Sequence, residues 1–85
     1  MQIIEIHVDN KIYKIEWALS EYFNELKGMR FELNSVAADQ IVLINNLNET
    51  AKILLSAVAG AVIQHLIDIN CPIDKIFSGY FIIQE

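Results

Sequence analysis

The chain contains 85 residues, and a chain this short forms one domain because its core is too small to divide in two. Hydrophobic residues account for 54% of the chain, above the usual ~45–50%, which excludes a disordered protein. The formal net charge is −5 and the 6 basic residues are scattered, so the sequence offers no positive stripe along which nucleic acid could bind directly.

The first fifteen residues are predicted to form a β-hairpin. Asp9 and Asn10 form its turn, because both residue types tolerate a positive φ angle. Pairing outward from the turn places three mostly apolar pairs on one face: Val8 with Lys11, Ile6 with Tyr13, and Ile4 with Ile15. The other face carries His7 with Ile12, Glu5 with Lys14, and Ile3 with Glu16. Glu5 and Lys14 then form a cross-strand charge pair, and a slip of one residue would mix the two faces.

A short helix is predicted next, from about Trp17 to Lys27. Its apolar residues recur at helical spacing, and Gly28 is suited to end it. Those apolar residues are Leu19, Tyr22, Phe23 and Leu26. The alternation over residues 29–34 predicts a half-buried strand. After a polar connection over 34–40, the unbroken apolar run over 41–44 predicts a strand that is covered on both faces.

The dominant element is a second helix, predicted from about Leu47 to Ile69. Asn46 or Asn48 can cap its N-terminus, Asn70 can close its C-terminus, and Pro72 prevents the helix from continuing. Its longest uncharged stretch, 53–67, is shorter than the ~20 apolar residues that span a bilayer. We therefore expect a buried helix and no membrane partner. A single helical turn over 73–77 and a final strand over 80–84 complete the chain.

The predicted order is ββαββαβ, which places the protein in the α+β class. Without one strand of the hairpin, this order is the split βαβ pattern of ferredoxin-like folds. We expect one mainly antiparallel sheet with two helices packed on one face. The final strand is apolar on both faces. At an edge it would invite pairing with another chain, whereas a central position, which we favour, would bury it.

The second helix is apolar around nearly its whole circumference. A broad stripe should face the sheet: Leu54, Leu55, Val58, Val62, Leu66 and Ile69. A helix that lies on one sheet normally has a polar back. Here the back combines isoleucines with small residues: Ile53, Ser56, Gly60, Ile63 and Ile67. Ser56 and Gly60 are four residues apart, a spacing at which another backbone can approach closely.

Two interpretations of this back face compete. In the first, the helix Trp17–Lys27 and the segment Cys71–Phe77 cover it, and its residues belong to the core. In the second, the back face is a surface for another protein, because contiguous exposed apolar patches usually mark interfaces. A chain this short has little left with which to cover a second helix face. The commonest outcome would be a homodimer with two-fold symmetry.

Residue types that carry catalysis or bind metals are scarce and dispersed. His7 and His65 are the only histidines and Cys71 is the only cysteine, so the sequence predicts neither a metal site nor a disulfide framework. We interpret His7 as a surface residue, His65 as a structural residue, and Cys71 as an inert thiol. The 3 glycines form no phosphate-binding loop. We therefore expect a protein that is not an enzyme and that needs no cofactor.

Three segments resemble the start of BTB/POZ and Skp1-like domains: His7–Ile15, Ala18–Phe23 and Ile41–Asn48. Those domains open with a hairpin, a helix pair, and a strand that leads into a further helix. The resemblance covers roughly the first two-thirds of the chain and implies an adaptor that dimerises or recruits partners. The helical region is shorter than the family's helix pair, and a predicted strand replaces the family's later helices.

We expect a small acidic protein-binding module of inhibitor or adaptor type that associates with another protein or with itself through the second helix. Its partner-binding residues would be Ile53, Ser56, Gly60, Ile63 and Ile67. An alternative is an acidic decoy that occupies the basic site of a nucleic-acid-binding protein through Glu21, Glu25 and Glu32. The simpler explanation of the acidity is solubility. The single cysteine and the absence of a signal-peptide pattern at the N-terminus favour a cytoplasmic location.

Overall fold

The computed structural model describes residues 1–35 and 49–85, apart from the side chains of Ser20 and Ser35. These residues form an α+β fold built on a four-stranded antiparallel sheet, the class that the sequence predicts. The elements in chain order are β1 (Gln2–Val8), β2 (Lys11–Trp17), a 3-10 turn (Ser20–Tyr22), α1 (Phe23–Leu26), β3 (Arg30–Glu32), a second 3-10 turn (Leu33–Ser35), α2 (Glu49–Asp68), α3 (Ile73–Ile76) and β4 (Tyr80–Ile83). The strand predicted over 41–44 and the caps proposed at Asn46 and Asn48 lie outside the described residues.

The hairpin β1–β2 has the predicted turn and the predicted register. Asp9 and Asn10 have φ angles of 51° and 61°, the left-handed values that a tight hairpin turn requires. All of the predicted pairs are present, from Val8 with Lys11 to Ile3 with Glu16. Glu5 lies opposite Lys14, but its carboxylate contacts His7 and Gln84 instead. Side chains alternate between the two faces along β1, so this register decides which of its residues face the core.

The last strand occupies the centre of the sheet, whose order is β2-β1-β4-β3. Antiparallel pairing joins β4 to β1 on one side and to β3 on the other. Gly79 permits the close approach of β4 to β1, because a Cβ atom there would lie 2.6 Å from the carbonyl oxygen of His7. The central position that the sequence favours for this strand is confirmed, which leaves β2 and β3 as the edges among the described strands.

The hydrophobic core lies between one face of the sheet and the inward face of α2. The sheet contributes Ile4, Ile6, Val8, Phe31, Phe81 and Ile83. The helix contributes Leu55, Val58, Ala59, Val62 and Leu66. Leu19, Leu26, Leu33 and Ile76 from the connecting segments close its margins. Because α2 covers this single face, the opposite face of the sheet, which bears Glu5, His7 and Tyr80, stays outside the core.

The helix predicted from Trp17 to Lys27 is shorter than its sequence suggests. Trp17 pairs with Gln2 and so belongs to β2, and the chain then makes a 3-10 turn before the single α-helical turn of α1. Hydrogen bonding along the hairpin therefore outcompetes helix formation at Trp17. The predicted apolar spacing still packs as expected, because Leu19 and Leu26 are fully buried. Gly28, with a φ angle of 76°, ends this segment as predicted.

The helix α2 ends in the way that Asn70 and Pro72 predict. Asn70 has a φ angle of 64°, and the backbone N–H groups of Asn70 and Cys71 donate to the carbonyl oxygens of Ile67 and Leu66. This pair of bonds is the Schellman motif, which satisfies carbonyl groups at a helix C-terminus. The reversal carries Ile69 away from the sheet, so this residue is 42% exposed. The prediction that Ile69 joins the inward stripe is therefore wrong.

Candidate functional site

The outward face of α2 contains two large aliphatic side chains that the described part of the chain leaves in solvent. Ile53 is 69% exposed and Ile67 is 48% exposed. Gly60 lies midway between them, is exposed, and would have no atom within 4 Å of an added Cβ. Residues spaced by seven fall on nearly the same side of an α-helix. Ile53, Gly60 and Ile67 thus form one line along the helix, which we call the outward stripe.

The other two residues predicted for this surface lie at its margin. Ser56 is half-buried, and its hydroxyl donates a 3.0 Å hydrogen bond to the carbonyl oxygen of Lys52 in its own helix. Ile63 is also half-buried and packs against the core. Three of the five predicted residues are therefore exposed and aligned, while two connect that line to the core. Ala57, which the sequence analysis did not single out, is exposed between Ile53 and Gly60.

An apolar groove runs beside the N-terminal half of the outward stripe. Its volume is about 350 Å³. The connection between β2 and α1 forms one wall and α2 forms the other: Ala18, Leu19, Tyr22, Thr50, Ile53, Leu54 and Ala57. Sequence reasoning missed this groove, because its two walls come from segments about thirty residues apart in the chain. Ile53 therefore borders a recess as well as projecting into solvent.

Charged groups are confined to the two ends of α2. Glu49 lies 3.7 Å from the Nζ atom of Lys52 at the N-terminal end. At the C-terminal end, the side-chain amide of Gln64 donates a 2.8 Å hydrogen bond to Asp68. Between Lys52 and Asp68 the helix contains no Asp, Glu, Lys or Arg. The outward stripe can thus be removed from water without burying a charge, a step that is costly unless the charge is paired.

Judged only by its length and its hydropathy, α2 is long and apolar enough to cross a membrane. Core helices of soluble proteins pass this test as well. In this fold, 33% of the most apolar 18-residue stretch of α2 is buried inside the protein, and six residues of the helix are buried. The protein is a compact globule with a Cα radius of gyration of 12.0 Å.

The outer face of the sheet contains an ordered polar cluster. The rings of His7 and Tyr80 stack with centroids 4.6 Å apart, and the guanidinium of Arg30 lies 3.5 Å from the Tyr80 ring centroid. The His7 Nε2 atom lies 2.6 Å from Glu5, whose other oxygen accepts a hydrogen bond from Gln84. An open groove of about 460 Å³ adjoins His7 and Tyr80 at the hairpin turn. Most polar groups in this cluster already have partners within the protein, so the cluster orders the sheet surface.

The remaining candidate residues occupy separate places. His65 is half-buried and makes an edge contact with Tyr13 at a centroid distance of 6.3 Å, and Cys71 is a half-buried free thiol. Across 1–35 and 49–85, no group of three or more potential metal ligands comes together. The acidic residues of the decoy hypothesis are exposed, and the Glu32 carboxylate forms an ion pair with Arg30 at 2.8 Å.

Comparison with family models, with curated proteins and with solved structures finds no match for this chain. The resemblance to BTB/POZ and Skp1-like domains therefore stays a prediction. Among the described residues, the outward stripe is the feature with the clearest binding chemistry.

Proposed function

We propose that the protein is a small acidic protein-binding module, without enzymatic activity, that self-associates through the outward stripe of α2. The observation that carries this proposal is the exposure of Ile53 and Ile67 on either side of the open Gly60. Apolar surface of this kind gains free energy when it is removed from water. The free thiol Cys71 fits the reducing environment of the cytoplasm.

An antiparallel pair of α2 helices fits the stripe best. If a two-fold axis passes through Gly60, then Ile53 of one chain lies beside Ile67 of the other, and Gly60 faces its own copy. Gly60 allows the two backbones to approach closely, as small residues do at helix–helix contacts. A shallow crossing angle of about 20° would keep the contact over the roughly 21 Å of helix between the two isoleucines.

The energetics predict a weak association. Fully burying an isoleucine is worth about 1.5–3 kcal/mol, so burying the exposed fractions of Ile53 and Ile67 in both chains contributes roughly 3–7 kcal/mol. Association costs an estimated ~4–15 kcal/mol in lost freedom of motion. Contacts along the apolar groove are therefore needed for a stable dimer. With those contacts we expect a dissociation constant of about 0.1–1 mM, at the weak end for specific complexes.

Sedimentation equilibrium at protein concentrations up to about 1 mM covers the expected dissociation constant and tests this proposal. The wild-type protein is expected to shift from monomer to dimer, and Ile53→Glu or Ile67→Glu is expected to weaken the shift by at least about tenfold. Ile73→Glu is the matched control, because Ile73 is 65% exposed but lies on α3. A wild-type protein that stays monomeric at every concentration, or a control variant as impaired as Ile53→Glu, would refute the proposal.

A further inference from the structure

The edge strand β2 has features of a second docking surface. Among the described residues, no strand pairs with its outer side, although the strand is seven residues long. A strand that is open on one side presents unpaired backbone N–H and C=O groups, which readily pair with another strand. Three residues on its inner face are only half-buried, although they pack against the core: Tyr13, Ile15 and Trp17.

The hairpin turn decides which backbone groups of β2 point outward. In a hairpin with a two-residue turn, the residues that flank the turn exchange hydrogen bonds, and such pairs alternate along the strands. Val8 and Lys11 flank the turn here. Every second residue of β2 from Lys11 belongs to such a pair, so the backbone N–H and C=O groups of Tyr13, Ile15 and Trp17 bond to β1. The N–H and C=O groups of Ile12, Lys14 and Glu16 therefore point toward the open edge.

We infer that a second copy of this chain pairs antiparallel with the outer edge of β2, about a two-fold axis at Ile15. This register sets Lys14 of each copy opposite Glu16 of the other, so two cross-strand pairs of opposite charge form. A register about Lys14 would place two lysines opposite each other, which is unfavourable. The charges of the strand thus favour this register, and in it the two four-stranded sheets become continuous.

The same register brings together the half-buried residues of the inner face. Tyr13 then lies opposite Trp17 of the second copy, and Ile15 lies opposite its own counterpart. These pairs are the ones without mutual hydrogen bonds, in which side chains stand closest. Pairing of aromatic and β-branched side chains across strands is favourable, so the contact would complete the burial of this end of the core.

This pairing is independent of the proposed function. The outward stripe of α2 faces away from the sheet, whereas the open side of β2 lies at the edge of the sheet. The two surfaces do not overlap, so one chain can use both. Each surface can be removed separately. Ile53→Glu weakens the contact proposed for α2, so association that persists in that variant and responds to charge changes in β2 comes from the edge strand.

Charge exchange in the Ile53→Glu background tests the pairing. Lys14→Glu and Glu16→Lys, each alone, place like charges opposite each other and are expected to weaken association about tenfold or more. The double variant Lys14→Glu/Glu16→Lys restores opposite charges and is expected to recover the dissociation constant of the Ile53→Glu parent. In Lys14→Glu the new acidic side chain lies opposite Glu5 within the hairpin. The double variant keeps this unfavourable pair, so it controls for an effect of the substitution on folding. No association in the parent variant, or a double variant as weak as the single ones, would overturn the inference.

Disulfide trapping tests the register itself. With Cys71→Ser present to remove the native thiol, Ile15→Cys is expected to form an interchain disulfide under mild oxidation, because the Cα atoms of such a facing pair lie about 4.5 Å apart. Tyr13→Cys is the matched control, since its counterpart lies opposite Trp17 rather than itself. Equal cross-linking of the two variants, or failure of Ile15→Cys to cross-link, would contradict a two-fold axis at Ile15.

Discussion

Gly60→Ala is expected to change the stability of the monomer and the strength of self-association in opposite directions. Gly60 lies within α2, where glycine is less favourable than alanine by about 0.8–1.0 kcal/mol. An added Cβ would meet no atom within 4 Å, so nothing in the monomer opposes the gain in helix propensity. In the proposed dimer, the same methyl group stands between the two backbones at their closest approach and pushes them apart.

The monomer should gain nearly the whole propensity difference, about 0.8–1.0 kcal/mol. For a domain of this size that corresponds to a rise in Tm of about 4–8 °C. Urea unfolding should show the gain as a midpoint shift of roughly 0.3–1 M. Trp17, the only tryptophan, is half-buried at the end of β2 and provides the fluorescence signal. Unfolding is measured at low micromolar protein concentration, at which the weak dimer is dissociated.

Self-association is expected to weaken several-fold in the same variant, because dispersion contacts are lost when packed surfaces separate by even ~0.5–1 Å. Sedimentation equilibrium on the same sample measures this effect. A lower Tm would mean that the outward face of α2 is covered within the monomer, contrary to the exposure of Gly60. A higher Tm with an unchanged dissociation constant would mean that the two helices do not cross at Gly60.

Two further variants test the fold that presents the outward stripe. Leu55→Ala removes a fully buried side chain from the inward face of α2 and is expected to lower the free energy of unfolding in urea by about 2–5 kcal/mol. Ile53→Ala, on the outward face, should change the free energy of unfolding of the monomer by less than about 0.5 kcal/mol. Similar costs for both would mean that the helix is oriented differently. Gly79→Ala should lower Tm by several degrees, because its Cβ would lie 2.6 Å from the His7 carbonyl oxygen and 3.1 Å from the Val8 side chain. An unchanged Tm would contradict the close approach of β4 to β1.

The hairpin and the body of α2 could be predicted from the sequence because local interactions dominate both. Asp9 and Asn10 adopt the positive φ angles that their residue types tolerate, and that turn alone sets every pair between β1 and β2. Asn70 and Pro72 likewise end α2 through a motif contained in a few consecutive residues. The outward positions of Ile53, Gly60 and Ile67 follow from helical periodicity once the inward stripe is known.

Contacts between distant segments decided the rest. Trp17 joins β2 rather than a helix because Gln2 is available to pair with it. The central place of β4 requires β1 and β3 to close on it from both sides, which the residues of β4 cannot specify by themselves. The groove beside Ile53 likewise exists only because the connection after β2 packs against α2. Periodicity identifies the apolar face of each element, but which of those faces stay in water depends on how the elements pack together.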